Sequence, residues 1–196
     1  MQQNNIFNLT KPIVLVGMMG SGKTLIGRLL TKKISLPFVD LDQEVEKIEK
    51  RTIKKIFEEK NEGFFRKVEE KTQLKFLDPK PKIIATGGGT FVSTRIRKII
   101  LKSSISIWLK VKTKSLVERI KYSKKRPLLN NVDTKEKIEE LVKNRYPFYK
   151  QAKIVIDSNS TPENIVKNIC QKISIMGSDN WKEIVDEKIL QEKFLY

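Results

Sequence analysis

Gly17-Met-Met-Gly-Ser-Gly-Lys-Thr24 decides the reading of this chain. It fits the pattern G-x-x-x-x-G-K-[ST], with an apolar run directly before it at 13–16 and a helical stretch directly after it at about 23–34. Glycines let such a backbone curl until successive N–H groups point at phosphates, and the following helix N-terminus adds a favourable dipole. Gly20, Ser21 and Gly22 supply that backbone, Lys23 neutralises β- and γ-phosphate charge, and Thr24 offers a hydroxyl to Mg2+. A chance glycine turn between strand and helix would not call for both the lysine and the threonine. The stretch therefore predicts a nucleoside triphosphate site, and it leaves the phosphoryl acceptor open.

Outward from this loop, short β-branched apolar runs alternate with longer helical stretches, the pattern of a parallel sheet covered by helices. Strands are expected at 13–16, 38–41, 82–86, 105–111 and 153–157, and helices at about 23–34, 43–50, 52–60, 64–77, 95–101, 113–121, 135–150 and 162–173. A chain of 196 residues holds one sizeable core and not two ordinary domains, so 1–173 is read as one α/β domain. Two stretches break the alternation. Residues 122–133 carry a basic cluster, Pro127 and the pair Asn130-Asn131, and read as a mobile loop. The tail 174–196 is expected to begin a new segment at Gly177-Ser-Asp-Asn180, with Trp181, Ile184, Val185, Ile189 and Leu190 on one helical face that packs on the body or on a neighbouring subunit.

Composition narrows the chemistry. Hydrophobic residues make up 39% and no apolar run approaches the roughly 20 residues of a membrane span, while the first residues lack the basic and apolar regions of a secretory signal, so a cytoplasmic protein is expected. The single cysteine, Cys170, has no intrachain partner and reads as a packing residue. With no histidine, the Ser-His-Asp and Cys-His nucleophile arrangements are excluded, and catalysis has to rest on carboxylates, lysine, arginine or a bound metal. A net charge of +17 by itself suggests a polyanion partner, but the lysines are dispersed over nearly every expected helix and no aromatic-basic string accompanies them. Lysine-rich compositional bias accounts for the charge equally well, so nucleic acid is not expected as the primary partner.

Phe38-Val-Asp40-Leu-Asp42 places two carboxylates two residues apart at the end of the second expected strand. In an extended segment both point to one face at the carboxyl edge of the sheet, where ligands of open α/β sheets bind. One would then orient the Mg2+ waters while the other grips or deprotonates a substrate hydroxyl. The alternative is a pair of aspartates capping the helix that begins near Gln43.

Further motifs follow in order: Ile56-Phe-Glu-Glu-Lys-Asn-Glu-Gly-Phe-Phe-Arg-Lys-Val-Glu69, Ala85-Thr-Gly-Gly-Gly89, Arg126-Pro-Leu-Leu129 and Arg145-Tyr-Pro-Phe-Tyr149. Together with the phosphate loop and the aspartate pair, they make the chain resemble the shikimate kinases over about residues 11–173. These are P-loop enzymes of the nucleoside-monophosphate-kinase-like group that phosphorylate the 3-hydroxyl of shikimate in aromatic amino-acid biosynthesis. The resemblance implies a three-layer fold, with a central parallel sheet of about five strands, helices on both faces, and a mobile lid at about 121–134. It implies ATP and Mg2+, with Asp40 acting through the magnesium hydration shell. Asp42 would hold the shikimate hydroxyls and accept the reacting proton. Arg66 and Arg145 would clamp the shikimate carboxylate, and Gly88 and Gly89 would present backbone to shikimate. The lid would carry Arg126 to the transferring phosphoryl group, with Arg119 stacked on adenine and Pro162 as the opposite wall.

The residues themselves agree with that assignment. A small anionic acceptor needs forked guanidinium donors, and arginine is scarce here against abundant lysine, although a surface ion pair is the other reading of any single arginine. Glu69 lies three residues after Arg66 on one helical face and is placed to orient its guanidinium. The triple glycine removes side chains where a ligand lies against backbone, or else forms a bare turn. Asn61-Glu62 stands where the family usually has Gly-Glu, and asparagine also tolerates a left-handed conformation, so the turn is expected to survive. A gluconate kinase or an adenylate-kinase-like enzyme would share the loop and the lid without predicting the remaining motifs together. A binding module that had lost catalysis would not need Lys23, Thr24 and both aspartates. The chain is expected to act as a monomer.

Overall fold

The computed structural model describes residues 9–121 and 134–178. Most of the expected lid, including Arg126, and the tail beyond 178 lie outside the described residues. Strand β1 (Ile13–Val16) is made of β-branched residues and leucine, all fully buried. Such side chains fit a pleated surface covered on both faces. It is followed by α1 (Lys23–Ile34), β2 (Phe38–Asp40), α2 (Leu41–Glu49), α3 (Ile53–Glu59), α4 (Glu62–Phe76) and β3 (Ile83–Ala85). A short 3-10 turn (Thr90–Val92) leads to α5 (Thr94–Ser103), β4 (Ile105–Lys110), α6 (Thr113–Lys121), α7 (Thr134–Tyr149), β5 (Ile154–Asp157) and α8 (Pro162–Ser178).

All strand pairs are parallel, and the sheet order is β2-β3-β1-β4-β5. The period of two along β1 sends Ile13 and Leu15 to one face and Val14 and Val16 to the other. On the first face they meet Ile26, Leu30 and Ile34 of α1 and Ile165, Ile169 and Cys170 of α8; on the second, Ile96 and Ile100 of α5, Leu116 and Ile120 of α6, and Ile138 of α7. Cys170 is buried in the first layer, and burial pushes its thiol pKa up, as suits a packing residue. A third, smaller core of Val45, Ile56 and Phe65 ties α2, α3 and α4 together beside the sheet. The chain passes from β1 outward to β2 and back to β3, then crosses to β4. Connections therefore diverge between β1 and β3, the crevice at which open α/β sheets bind ligands.

Three expectations about element ends are corrected. Strand β2 stops at Asp40 and α2 begins at Leu41, because the Asp40 carboxylate caps the new helix. Helix α8 continues to Ser178 rather than ending at 173, because the apolar spacing of Ile165, Ile169 and Ile173 extends to Met176, which packs on the same core. Gly177 therefore lies within a helix and does not open a new segment. Asn61 is extended (φ 177°) rather than left-handed, and its Oδ1 accepts the Phe64 N–H at 2.8 Å, a cap that a glycine cannot supply. Among the described residues no helix is long and apolar enough to cross a membrane. The central packing yields a direct expectation: Leu15→Ala should lower the unfolding free energy by about 2–5 kcal/mol, read from the shift of the urea midpoint.

Candidate active site

The loop after β1 turns through left-handed backbone at Gly20 (φ 76°) and Gly22 (φ 91°), conformations that disfavour any side chain, and Gly22 is the N-cap of α1. The Lys23 ammonium folds back over the loop, donating to the carbonyls of Gly17 at 2.8 Å and Met18 at 2.9 Å. Ser21 is buried; its carbonyl accepts the Ser158 hydroxyl at 3.1 Å. Arg119 of α6 donates to the Gly20 carbonyl at 3.3 Å and to the Ser158 carbonyl at 3.0 Å, tying the loop to the connection after β5. Pro162 is the first residue of α8, a position where its missing N–H costs nothing.

Asp40 caps the helix, the alternative its sequence position had left open, and also reaches the phosphate-loop threonine. One carboxylate oxygen accepts the N–H groups of Asp42 at 3.1 Å and Gln43 at 3.4 Å, capping α2, while the other accepts the Thr24 hydroxyl at 2.6 Å. Asp42, in the first turn of α2, does not continue the strand, so the two aspartates are brought together by the turn and not by a shared strand face.

The triple glycine follows β3, the strand between β2 and β1. A β-carbon on Gly87 would lie 2.4 Å from Glu69 Oε1 and 3.0 Å from Asp42 Oδ1. On Gly88 it would lie 3.2 Å from Arg145 Nη1, and on Gly89 2.5 Å from Arg66 Nη1. The vacant side-chain positions are thus filled by two carboxylates from α2 and α4 and two guanidinium groups from α4 and α7. Arg66 Nη1 donates to Glu69 Oε2 at 2.7 Å, and Glu69 is itself buried and accepts the Thr90 hydroxyl at 3.2 Å. Gln73 donates to the same hydroxyl at 2.7 Å. Burial works to lower the Arg66 pKa, but the Glu69 and Glu62 carboxylates outweigh it and the net direction is up. Arg145 is buried beside Tyr149, whose hydroxyl donates to the Gly88 carbonyl. Burial pushes the Tyr149 phenol well above its ordinary pKa, so the donor stays protonated. A cavity of about 540 Å3 opens beside Gly89 and Thr90, walled by Glu62, Arg66, Glu69, Asn144, Arg145 and Phe148.

A phosphate loop, a carboxylate at its edge and two forked cations over a glycine floor describe a kinase for a small anionic acceptor. The family model described as shikimate kinase matches residues 19–174. The shikimate kinase of Bartonella henselae is 37% identical over 164 residues, covering 83% of this chain and 78% of that protein. The shikimate kinase of Caulobacter vibrioides is 39% identical over 155 residues, covering 79% of this chain and 78% of that protein. This chain belongs to the shikimate kinase family. Among solved structures, the shikimate kinase from Acinetobacter baumannii in complex with shikimate superposes with a TM-score of 0.82 at 31% identity, covering 88% of this chain and 97% of that one. A gluconokinase from Sinorhizobium meliloti, with a TM-score of 0.56 and 13% identity, shares the fold alone.

Of the residues singled out from the sequence of this shikimate kinase family member, Asp42 lies beside Gly87, Arg145 beside Gly88 and Arg66 beside Gly89; Thr24 bonds Asp40, Lys23 and Arg119 bond the phosphate loop, and only Arg66, Gly89 and Arg145 wall the cavity. Tyr149 and Thr90 received no role from sequence. Tyr149 stands one helical turn after Arg145, and Thr90 directly follows the glycines, which is the only signal either carries. The capping geometry sets a test on stability: Asp40→Ala should cost about 0.5–2 kcal/mol in urea unfolding, whereas Asp40→Asn, whose side chain also caps, should cost less.

Proposed function

We propose that this enzyme transfers the γ-phosphoryl group of ATP to the 3-hydroxyl of shikimate, giving shikimate 3-phosphate and ADP, as a cytoplasmic monomer. The observation that carries the reading is the placement of Arg66 and Arg145 over adjacent glycines, with Asp42 at the third glycine and the phosphate loop alongside. A ring bearing a carboxylate at one end and hydroxyls at the other matches that spacing of cations and carboxylate. The two guanidinium groups hold the acid, and Asp42 grips the hydroxyls. The 3-hydroxyl oxygen forms a bond to the γ-phosphorus as the bond from that phosphorus to the β–γ bridging oxygen breaks. The hydroxyl proton passes to the Asp42 carboxylate, and the bridging oxygen leaves on ADP.

Lys23 exchanges its loop carbonyls for β- and γ-phosphate oxygens, with the N–H groups of Gly20, Ser21, Gly22 and Lys23 around them. Thr24 and Asp40 suit Mg2+: two hard oxygens 2.6 Å apart, with no cluster of three metal-binding side chains among the described residues, match an ion that takes few protein ligands and keeps water and phosphate for the rest. Bound there with ATP, Mg2+ would supply charge neutralisation on the phosphates. Arg126, on a lid at about 121–134, is assigned to the transferring group, and Arg119 with Pro162 to the adenine edge. Gly88 and Gly89 present their backbone to shikimate.

Coupled ATP turnover with shikimate, gluconate and AMP offered separately tests the assignment. Turnover is expected with shikimate; turnover with gluconate or AMP and none with shikimate would sink it. Lys23→Ala should lower kcat by roughly a hundredfold or more. Arg145→Ala should instead raise the shikimate KM by roughly ten- to a hundredfold, the worth of a charged hydrogen bond. An unchanged KM would remove Arg145 from the clamp.

A further inference from the structure

Arg66 faces the cavity with its guanidinium already engaged by two unlike carboxylates. Nη1 donates to Glu69 Oε2 at 2.7 Å, while Nε at 3.3 Å and Nη2 at 2.9 Å both donate to Glu62 Oε1. The Glu69 side chain is 6% exposed and also accepts from Thr90; the Glu62 side chain, one turn before Arg66 on α4, is 57% exposed. Removing Glu69 from its partners would strand a buried charge, so that contact is fixed. Glu62 is different. It covers the Nε–Nη2 edge, one of the forks on which guanidinium binds a carboxylate with two parallel bonds, and water is at hand to solvate it on release.

We infer that Glu62 is an internal competitor for the Arg66 fork, so that the acceptor carboxylate binds by exchange: it takes the Nε–Nη2 edge and Glu62 turns out into solvent. The inference rests on the reading of Arg66 as a carboxylate clamp. Acceptor affinity is then scaled by the fraction of enzyme in which the fork is released. Exposed pairs at i,i+4 spacing are weak, so the scaling amounts to about two- to fivefold. The contact also has a use in a chain of net charge +17: an uncovered guanidinium at a cavity mouth would take any small anion. Glu62 yields only to an anion that gains further contacts, here from Arg145 and Asp42.

Steady-state kinetics of Glu62→Gln with shikimate test this. The variant should show a shikimate KM lowered about two- to fivefold with kcat changed less than twofold, and calorimetric titration of shikimate without nucleotide should show the same gain; Glu62→Ala should move in the same direction. Glu70→Gln is the control, because Glu70 lies on the rim of the same cavity but pairs with Arg95 at 3.2 Å. Its effect on KM should be clearly smaller. An unchanged or raised KM in Glu62→Gln would overturn the exchange, and so would an equal gain in Glu70→Gln, which would mark general charge repulsion. Absence of shikimate turnover in the unaltered enzyme is a separate result and would remove the acceptor assignment itself.

Discussion

The backbone of Gly87-Gly88-Gly89 lies so close to neighbouring side chains that a β-carbon on Gly87 would displace Glu69, one on Gly89 would displace Arg66 and one on Gly88 would press on Arg145, and this close approach is the constraint on which the proposed acceptor site depends. The requirement is for space. Among the described residues the glycines with left-handed backbone are Gly17, Gly20 and Gly22, all in the phosphate loop, whereas the triple glycine needs no unusual dihedral angle. Removing three side chains in a row lets groups from α2, α4 and α7 converge on one strip of backbone. The strip is then held at its middle and just beyond its end. Tyr149 bonds the Gly88 carbonyl, and Thr90, just beyond Gly89, bonds Glu69.

Around that strip the charges are arranged by burial. Glu69, almost out of water, is compensated by Arg66 and by the Thr90 hydroxyl, which Gln73 in turn supports. A buried carboxylate satisfied in this way is a rigid anchor, because every alternative position leaves a charge unpaired. Arg145 is buried beside Tyr149 and beneath Gly88. On the nucleotide side Lys23 spans the loop carbonyls, so the same cation that is assigned to the phosphates shapes the loop before they arrive.

Much of this was legible in the residue order, and the gaps have physical reasons. The alternation of apolar runs and helices predicted the five strands to within a residue or two, because β1 and β3 are buried on both faces and read as uninterrupted apolar runs, while the edge strand β5, with alternate residues exposed, still keeps the β-branched run Ile154-Val-Ile156. Helix ends were harder. Asp40 reads as a ligand-facing carboxylate or as the cap of a helix, and in the structure one oxygen caps α2 while the other accepts the Thr24 hydroxyl. Asn61 read as a tolerated turn residue, yet its side chain caps α4, a role that depends on where the Phe64 N–H points. Glu62 was visible only as a departure-flanking acid; that it covers a fork of Arg66 follows from side-chain direction on a helix and not from spacing alone.

The sequence by itself determined the phosphate loop, because strand, turn and helix are contiguous there, and a lysine and threonine at fixed offsets from glycines fall where local geometry sends them. It also singled out, through motifs that lie far apart along the chain, the residues proposed to hold the acceptor. Only the tertiary structure decided which of them meet. Asp42 and Glu69 face Gly87, Arg145 faces Gly88 and Arg66 faces Gly89, because β3 is inserted between β2 and β1, so that the glycine strip leaves the sheet beside the loop, and because α7 returns across the same edge. Contacts between groups from α2, α4, β3 and α7 have no local signature, since the packing of the sheet and its two helical layers, and not chain proximity, brings them together.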